Sequence, residues 1–321
     1  MTEGTGARDP QAPHAWSAPE LFAVLNASPG GLSEHEARDR RRRHGPNRLR
    51  EARAQRQGAE PVAAVLRRGR VLFFASALLV AGLARAGGDP GTPILVYHRF
   101  GPSVADSMTV RTSVFEAQLE QLARQGYTVI PLKTLVAHLR GDEPSLPPGS
   151  VVITMDDAHR SVYTEALPLL RRHRIPVTLF VYPSAVSRAD YAMTWEQLHE
   201  LAATGLVDIG SHTYWHPNFA VEKRRLSDAA YQRLVEDQLK RSRSVLENRL
   251  GTPVDLLAWP FGIYDGELMR KAAEAGYVAA FTLERHHTSA ADPIMALPRY
   301  LVTDQDRGAR FEALLAGSAG R

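Results

Sequence analysis

From Pro93 onward, short apolar runs alternate with longer amphipathic stretches. Runs rich in Val, Ile, Leu and Phe predict strands over 94–97, 128–130, 151–155, 177–181, 207–211, 256–259 and 279–283. Apolar positions three and four apart predict helices over 115–125, 132–140, 163–173, 195–204, 226–250 and 265–275. Strands that are apolar on both faces and separated by helices predict a parallel sheet, curled into a closed or nearly closed barrel. No internal repeat or low-complexity stretch interrupts this alternation.

Ahead of it the pattern changes. Residues 71–84 form a fourteen-residue stretch without a charge, preceded by Arg67, Arg68 and Arg70 and followed by Arg85. As a helix it would reach about 21 Å at 1.5 Å per residue, short of the roughly 30 Å hydrocarbon core. It has the length and the basic flank of a signal-peptide core, and Ala84-Arg85-Ala86 is a small-x-small cleavage pattern. Three readings stay open: an internal signal-anchor, a buried helix, or a cleaved signal behind an extended N-terminus. The arginines favour an N-terminus left in the cytoplasm, with residues from about 90 outside it. That predicts membrane association through residues 71–84 and a place in the cell envelope, anchored or secreted.

Residues 15–51 read as a separate helical unit. Ser17-Ala18-Pro19-Glu20 is an N-cap with a proline-bearing first turn, and Gly45-Pro46-Asn47 ends a second helix. The chain thus divides into a small helical unit over 1–60, a basic flank and apolar helix over 61–90, and an α/β domain over 91–321.

Composition narrows the chemistry. The 321 residues carry a net charge of +4, but residues 1–70 alone carry +5 and the remainder −1. The basic character therefore belongs to the N-terminal segment, and its arginines are not interleaved with aromatics as a nucleic-acid stacking platform would be. No nucleic-acid partner is expected. The chain has no cysteine, which excludes disulfides, thiolate metal sites and a cysteine nucleophile. Any metal must sit on His and carboxylate.

Four clusters stand at or just past the C-terminal end of a predicted strand, the rim that carries active sites in parallel α/β barrels. Val151-Val152-Ile153-Thr154-Met155 ends in Asp156-Asp157, two adjacent carboxylates that repel unless a proton or cation separates them. Ser211-His212-Thr213-Tyr214-Trp215-His216 places two His four apart, read as one face of a helical turn from which both rings reach one metal. With a carboxylate from another strand end they make a two-His, one-carboxylate set that leaves positions for water and substrate. Ala258-Trp259-Pro260-Phe261-Gly262 turns a strand end and could aim a backbone N–H at the site as an oxyanion donor. Ile94-Leu95-Val96-Tyr97 delivers His98 to the same rim.

Together these motifs resemble the polysaccharide deacetylases of carbohydrate esterase family four, the NodB-homology fold, over roughly residues 92–303. "TMDD" stands for the family's Thr-Phe-Asp-Asp, "SHTYWHP" for its His-Ser/Thr-x-x-His motif, and "WPFG" for its third motif. The resemblance implies Asp156 as general base, Asp157, His212 and His216 as metal ligands, and the Phe261 N–H as oxyanion donor. Two departures stand out. Ala258 occupies the place of the usual Arg before the Pro, and the late Leu-x-His that supplies the general acid is missing. Ala296-Leu297-Pro298-Arg299-Tyr300 lies there instead, with His286 and His287 nearby on a polar loop. The opening "ILVYHRF" is similar to the permuted subgroup that deacetylates exported poly-β-1,6-N-acetylglucosamine. On that likeness His98 becomes the general acid, and Arg299 replaces the missing Arg beside Asp156.

The fold expected is therefore α/β, a distorted (β/α) barrel of the polysaccharide deacetylase type, preceded by a small helical unit and one short apolar helix. The implied activity is metal-dependent removal of N-acetyl groups from an acetylated amino-sugar polysaccharide. Zinc is the first metal expected, with nickel, cobalt and iron as alternatives. A peptidoglycan or chitooligosaccharide deacetylase, an O-acetyl esterase and a non-catalytic carbohydrate-binding protein share the motifs. Residues 108–118 and 184–194 are read as loops that recognise the linkage. The string "WSAPELFAVLNASPGGLSEHEARDRRRRHGPNRL" resembles the small N-terminal domain of cation-transporting P-type ATPases. Nothing later in the chain carries a phosphorylated-Asp motif, so pumping is excluded.

Overall fold

The computed structural model describes residues 91–143 and 145–317. The predicted N-terminal unit and the apolar segment 71–84 lie outside the described residues. In chain order the elements are β1 (Ile94–Tyr97), β2 (Arg99–Gly101), β3 (Thr109–Arg111), α1 (Thr112–Arg124), β4 (Thr128–Val129), α2 (Leu132–Leu139) and β5 (Ser150–Met155). A π-helical turn (Val162–Ala166) runs into α3 (Leu167–His173), followed by β6 (Val177–Val181), α4 (Trp195–Ala203), β7 (Val207–Ser211), α5 (Phe219–Arg225) and α6 (Asp228–Leu250). β8 (Leu256–Ala258), α7 (Gly266–Glu274), β9 (Ala279–Phe281), β10 (Tyr300–Leu301) and α8 (Ala309–Leu315) complete the chain.

The sheet is parallel throughout, in the order β10-β1-β5-β6-β7-β8-β9, with β4 beside the start of β5. Its two edges are drawn to one segment. Leu297 bridges to Phe281 on β9, and Tyr300 pairs with Leu95 on β1. The curl predicted from the strand pattern therefore closes through residues 297–301. Burial on both faces explains why the strands read as mostly apolar runs; every residue of β1, β5 and β6 is buried.

Alternation along the strands sorts the interior from the outer layer. Ile94, Val152, Phe180, Leu256 and Phe281 meet inside the curl, where Leu132, Leu135 and Val136 of α2 pack with them. Leu95, Tyr97, Ile153 and Met155 point the other way, into a layer with α1, α3, α4 and α8. A third cluster packs α6 and α7 on β8 and β9 around Trp259. Following the inner face of β5 upward gives Val152, Thr154 and then Asp156, so the polar site sits directly on the apolar interior.

The predicted elements need several corrections. The helix expected over 226–250 is observed as α6, which begins two residues later because Leu226 is extended and the Ser227 side chain caps it by accepting from the Ala230 N–H. Asp265 likewise caps α7, so that helix begins one residue later than predicted. β2, β3, β10, α5 and α8 were not predicted. Residues 108–118, read as a loop, hold β3 and the first turns of α1. Among the described residues no helix is long and apolar enough to cross a membrane.

Candidate active site

Asp156 is the first residue past β5, and its N–H donates to the Tyr97 carbonyl, extending the ladder by one step. Its carboxylate, buried inside the curl, accepts two hydrogen bonds from Arg299, Nη1 to Oδ1 at 2.8 Å and Nη2 to Oδ2 at 2.7 Å. Arg299 is itself fully buried. Its Nε donates to the Thr282 carbonyl at 3.0 Å and its Nη1 also reaches the Thr154 hydroxyl at 3.2 Å. Burial alone would push the Asp156 carboxyl up. The Arg299 charge, the His212 charge and the Arg299 hydrogen bonds outweigh that and hold it far below the ordinary carboxylate range.

Asp157 comes next, with φ 72°, and Ala158 follows with φ 52°. These two left-handed residues turn the chain so that Asp157 faces the open side of the rim. His212 and His216 arrive from the loop after β7. That loop is not the helical turn expected from their spacing, since Thr213 and His216 both have φ 63°. The Ser211 hydroxyl accepts from the Thr213 N–H, the Thr213 hydroxyl from the His216 N–H, and the buried Gln238 side chain from the Trp215 N–H. This folded loop, rather than helical periodicity, brings the rings together with centroids 4.5 Å apart.

One donor atom each from Asp157, His212 and His216 lies within 4.8 Å of the others. His212 Nδ1 is 2.8 Å from the Ala258 carbonyl oxygen. A carbonyl only accepts, so Nδ1 carries the proton and Nε2 presents a lone pair. That lone pair faces Asp157 Oδ1 at 3.7 Å and Asp156 Oδ2 at 3.8 Å, and His216 Nε2 is 3.8 Å from Asp157 Oδ1. These distances are too long for hydrogen bonds, and at His212 they set an electron pair against two carboxylates. They suit atoms that share one ion, since ligands about 2.0–2.2 Å from a metal stand roughly 3–4 Å apart. Burial pushes His212 down to about 3, against the pull of Asp156, and lowers His216 as well. Both imidazoles are then neutral near pH 7, the form that ligates. Burial raises Asp157, opposed by His98 and reinforced by Asp156. The donor set fits a divalent cation.

These groups line a cavity of about 350 Å³ with His98, Arg99, Met108 and Phe261 on its walls. His98 stands one residue past β1, and its Nδ1 is buried with no hydrogen-bond partner among the described residues. Phe261 has φ 58° in the turn Pro260–Gly262, where the Gly262 and Ile263 N–H groups donate to the Trp259 and Pro260 carbonyls. Its ring packs 4.6 Å from His216. Of the seven non-glycine residues with positive φ among the described residues, Asp157, Ala158, Thr213, His216 and Phe261 belong to this site. Backbone strain gathers where side chains must be aimed. His286 pairs instead with Asp292 at 2.9 Å on an exposed loop, and neither it nor His287 lines the cavity.

The sequence reading missed Tyr182 and Arg99. Tyr182 lines the cavity with its ring 5.3 Å from that of His216. It stands one residue past the strand predicted over 177–181, so the rule that picked out His98 and Asp156 also reaches it. Arg99 is held to Asp106 on the neighbouring loop.

Residues 143–280 match the family model described as polysaccharide deacetylase. The chain carries a polysaccharide deacetylase domain. Residues 13–56, outside the described part, match the model for the N-terminus of cation transporters and ATPases. The poly-β-1,6-N-acetyl-D-glucosamine N-deacetylase of Escherichia coli K12 is 24% identical over 250 residues, which cover 67% of this chain and 37% of that protein. The enzyme of the same name from Staphylococcus aureus MRSA252 is 25% identical over 201 residues, 61% of this chain and 68% of that one. The structure of IcaB from Ammonifex degensii superposes on the deacetylase domain with a TM-score of 0.62 at 28% identity, covering 71% of this chain and 98% of that one.

Proposed function

We propose that the domain is a divalent-metal-dependent N-deacetylase of an N-acetylglucosamine polysaccharide, with exported poly-β-1,6-N-acetylglucosamine as its substrate. The observation that carries this reading is the meeting of Asp157, His212 and His216 within 4.8 Å, beside an Asp156 clamped by Arg299. The similarity to two enzymes named for that polymer supports the substrate. The basic flank and apolar segment 71–84 support a place outside the cytoplasm, where such a polymer is met.

In this reading Asp157, His212 and His216 hold the ion, zinc before nickel, cobalt or iron, and the ion supplies a Lewis acid for the acetyl carbonyl and for a water. Asp156 accepts the proton of the attacking water. Arg299 keeps that carboxylate ionised and fixes its plane, at some loss of basicity. The Phe261 N–H donates to the carbonyl oxygen as negative charge grows there. His98 gives a proton to the departing sugar nitrogen, which otherwise leaves poorly.

Acetate release tests the reading on β-1,6-linked and β-1,4-linked N-acetylglucosamine oligomers and on peptidoglycan. Release from the β-1,6-linked series, lost in Asp156→Asn, is the expected result. Release confined to O-acetylated sugars would replace it with an esterase. Binding of oligomers without any release would make the domain a carbohydrate-binding protein.

A further inference from the structure

Three of the five exposed large apolar side chains among the described residues gather at the site: Phe261 lines the cavity, Trp215 stands in the loop that carries His212 and His216, and the Tyr191 hydroxyl bonds that of Tyr182 on the cavity wall. Single exposed apolar residues need no explanation, but a grouping at the catalytic end of the barrel marks a binding surface. The cavity, at about 350 Å³, lies near the lower bound for small-molecule sites. It has room for one sugar ring with its acetyl group, so the rest of a polymer must leave across this rim.

One of the five is built into place. The loop after β6 is zipped to the loop after β5. Ala192 bridges antiparallel to His159, the Arg160 N–H donates to the Tyr191 carbonyl at 2.7 Å, and the Met193 N–H donates to that of Ala158 at 3.0 Å. The Tyr191 ring lies near-parallel to that of His159, at 10° with centroids 6.1 Å apart. Its hydroxyl shares a 2.5 Å hydrogen bond with that of Tyr182, whose ring in turn faces His216. Backbone pairing, a stacked ring and a hydroxyl anchor thus hold Tyr191 rigid while 43% of its surface stays exposed.

We propose that Tyr191, positioned by Tyr182 and His159, forms the subsite for the sugar next to the one being deacetylated. A pyranose of an amino-sugar chain offers an apolar C–H face to the ring and hydroxyl or acetamido groups to the paired phenols. A rigid aromatic loses little entropy on contact. Tyr191 binds the neighbouring sugar, and its effect falls on chain-length dependence and KM rather than on the chemical step. This rests on the proposed substrate class.

The test compares wild type, Tyr191→Phe and Tyr191→Ala on β-1,6-linked N-acetylglucosamine oligomers from dimer to pentamer. In Tyr191→Ala the ratio of kcat/KM for pentamer over dimer is expected to fall about tenfold, through KM. Tyr191→Phe, which keeps the ring and loses the hydroxyl, should fall between. Calorimetric binding of the pentamer to Asp156→Asn, with and without Tyr191→Ala, should weaken by a similar factor. A loss equal at every length would give Tyr191 a merely structural role, and no change in either measurement would remove the subsite. Weaker pentamer binding with no deacetylation by wild type would keep the subsite and overturn the proposed activity instead.

Discussion

Arg299 grips Asp156 with two hydrogen bonds of 2.8 and 2.7 Å, although 143 residues of chain separate them. Both side chains are buried, and the guanidinium also lies 5.3 Å from the Phe180 ring centre inside the curl. The segment that closes the sheet therefore also supplies the countercharge of the proposed base. Stability and chemistry meet at one ion pair.

Removing one partner leaves a buried charge uncompensated. Arg299→Met should lose about 3–5 kcal/mol of stability, seen as an earlier urea midpoint, together with acetate release. Arg299→Lys keeps the charge but cannot make the paired bonds, so its midpoint should move less while kcat still falls. An unchanged midpoint in Arg299→Met would mean that the pair contributes nothing to the fold.

The proposed ion can be followed without activity. Zinc added at one hundred times its Kd should stabilise the wild-type protein by about 2.7 kcal/mol, read as a rise in Tm. Asp157→Ala and His212→Ala should show neither that rise nor bound metal by elemental analysis. Asp156→Asn should keep both. Full metal content in Asp157→Ala would defeat the ligand assignment.

A second pair makes acid stability predictable. Asp304 accepts hydrogen bonds from the Arg111 backbone N–H and side chain, 3.0 to 3.2 Å. This ties the chain after β10 to the start of α1. Burial opposes its ionisation, but those hydrogen bonds and the charges of Arg111 and Arg307 hold it below its ordinary value of 3.8. A carboxyl lowered in the folded state stabilises above its unfolded pKa, and that contribution fades as pH falls through the folded one. Wild type should therefore be more stable than Asp304→Asn at pH 7, and the gap between their denaturation midpoints should close from about pH 4 downward. A gap independent of pH would show that the charge plays no part.

How much of this could be read from the sequence depended on range. The strands at 94–97, 151–155 and 177–181 were legible because both faces are buried and all but Thr154 and Thr178 are apolar. β2, β3 and β10 have two or three residues each, too few to display a period. His98, Asp156 and His212 stood out because each follows a strand end, but the shared face of His212 and His216 was wrongly ascribed to a helix. Two left-handed residues, two local hydrogen bonds and one from the Trp215 N–H to the distant Gln238 side chain bring the rings together, and nothing in a four-residue spacing announces that. The pairing of Arg299 with Asp156 came from family likeness, since no pattern links positions 143 apart. Tyr191 escaped notice because its place depends on one loop pairing with another.

Gly210 offers a test of how tightly the interior supports the site. It lies on β7, two residues before His212, and a Cβ there would come within 2.6 Å of two Phe180 ring carbons and 3.2 Å of the Leu256 carbonyl oxygen. The Phe180 ring cannot retreat freely, because it packs on Phe281 with centroids 5.5 Å apart and faces the Arg299 guanidinium. Gly210→Ala should therefore cost about 1–3 kcal/mol through overpacking. The displaced ring should also press on Arg299, so kcat should fall although no proposed catalytic group has changed. Combining Gly210→Ala with Phe180→Leu, which frees space, should recover part of both losses, a coupling measurable as a double-mutant cycle. Additive effects would show that the ring has room to move and that the interior does not set the position of Arg299.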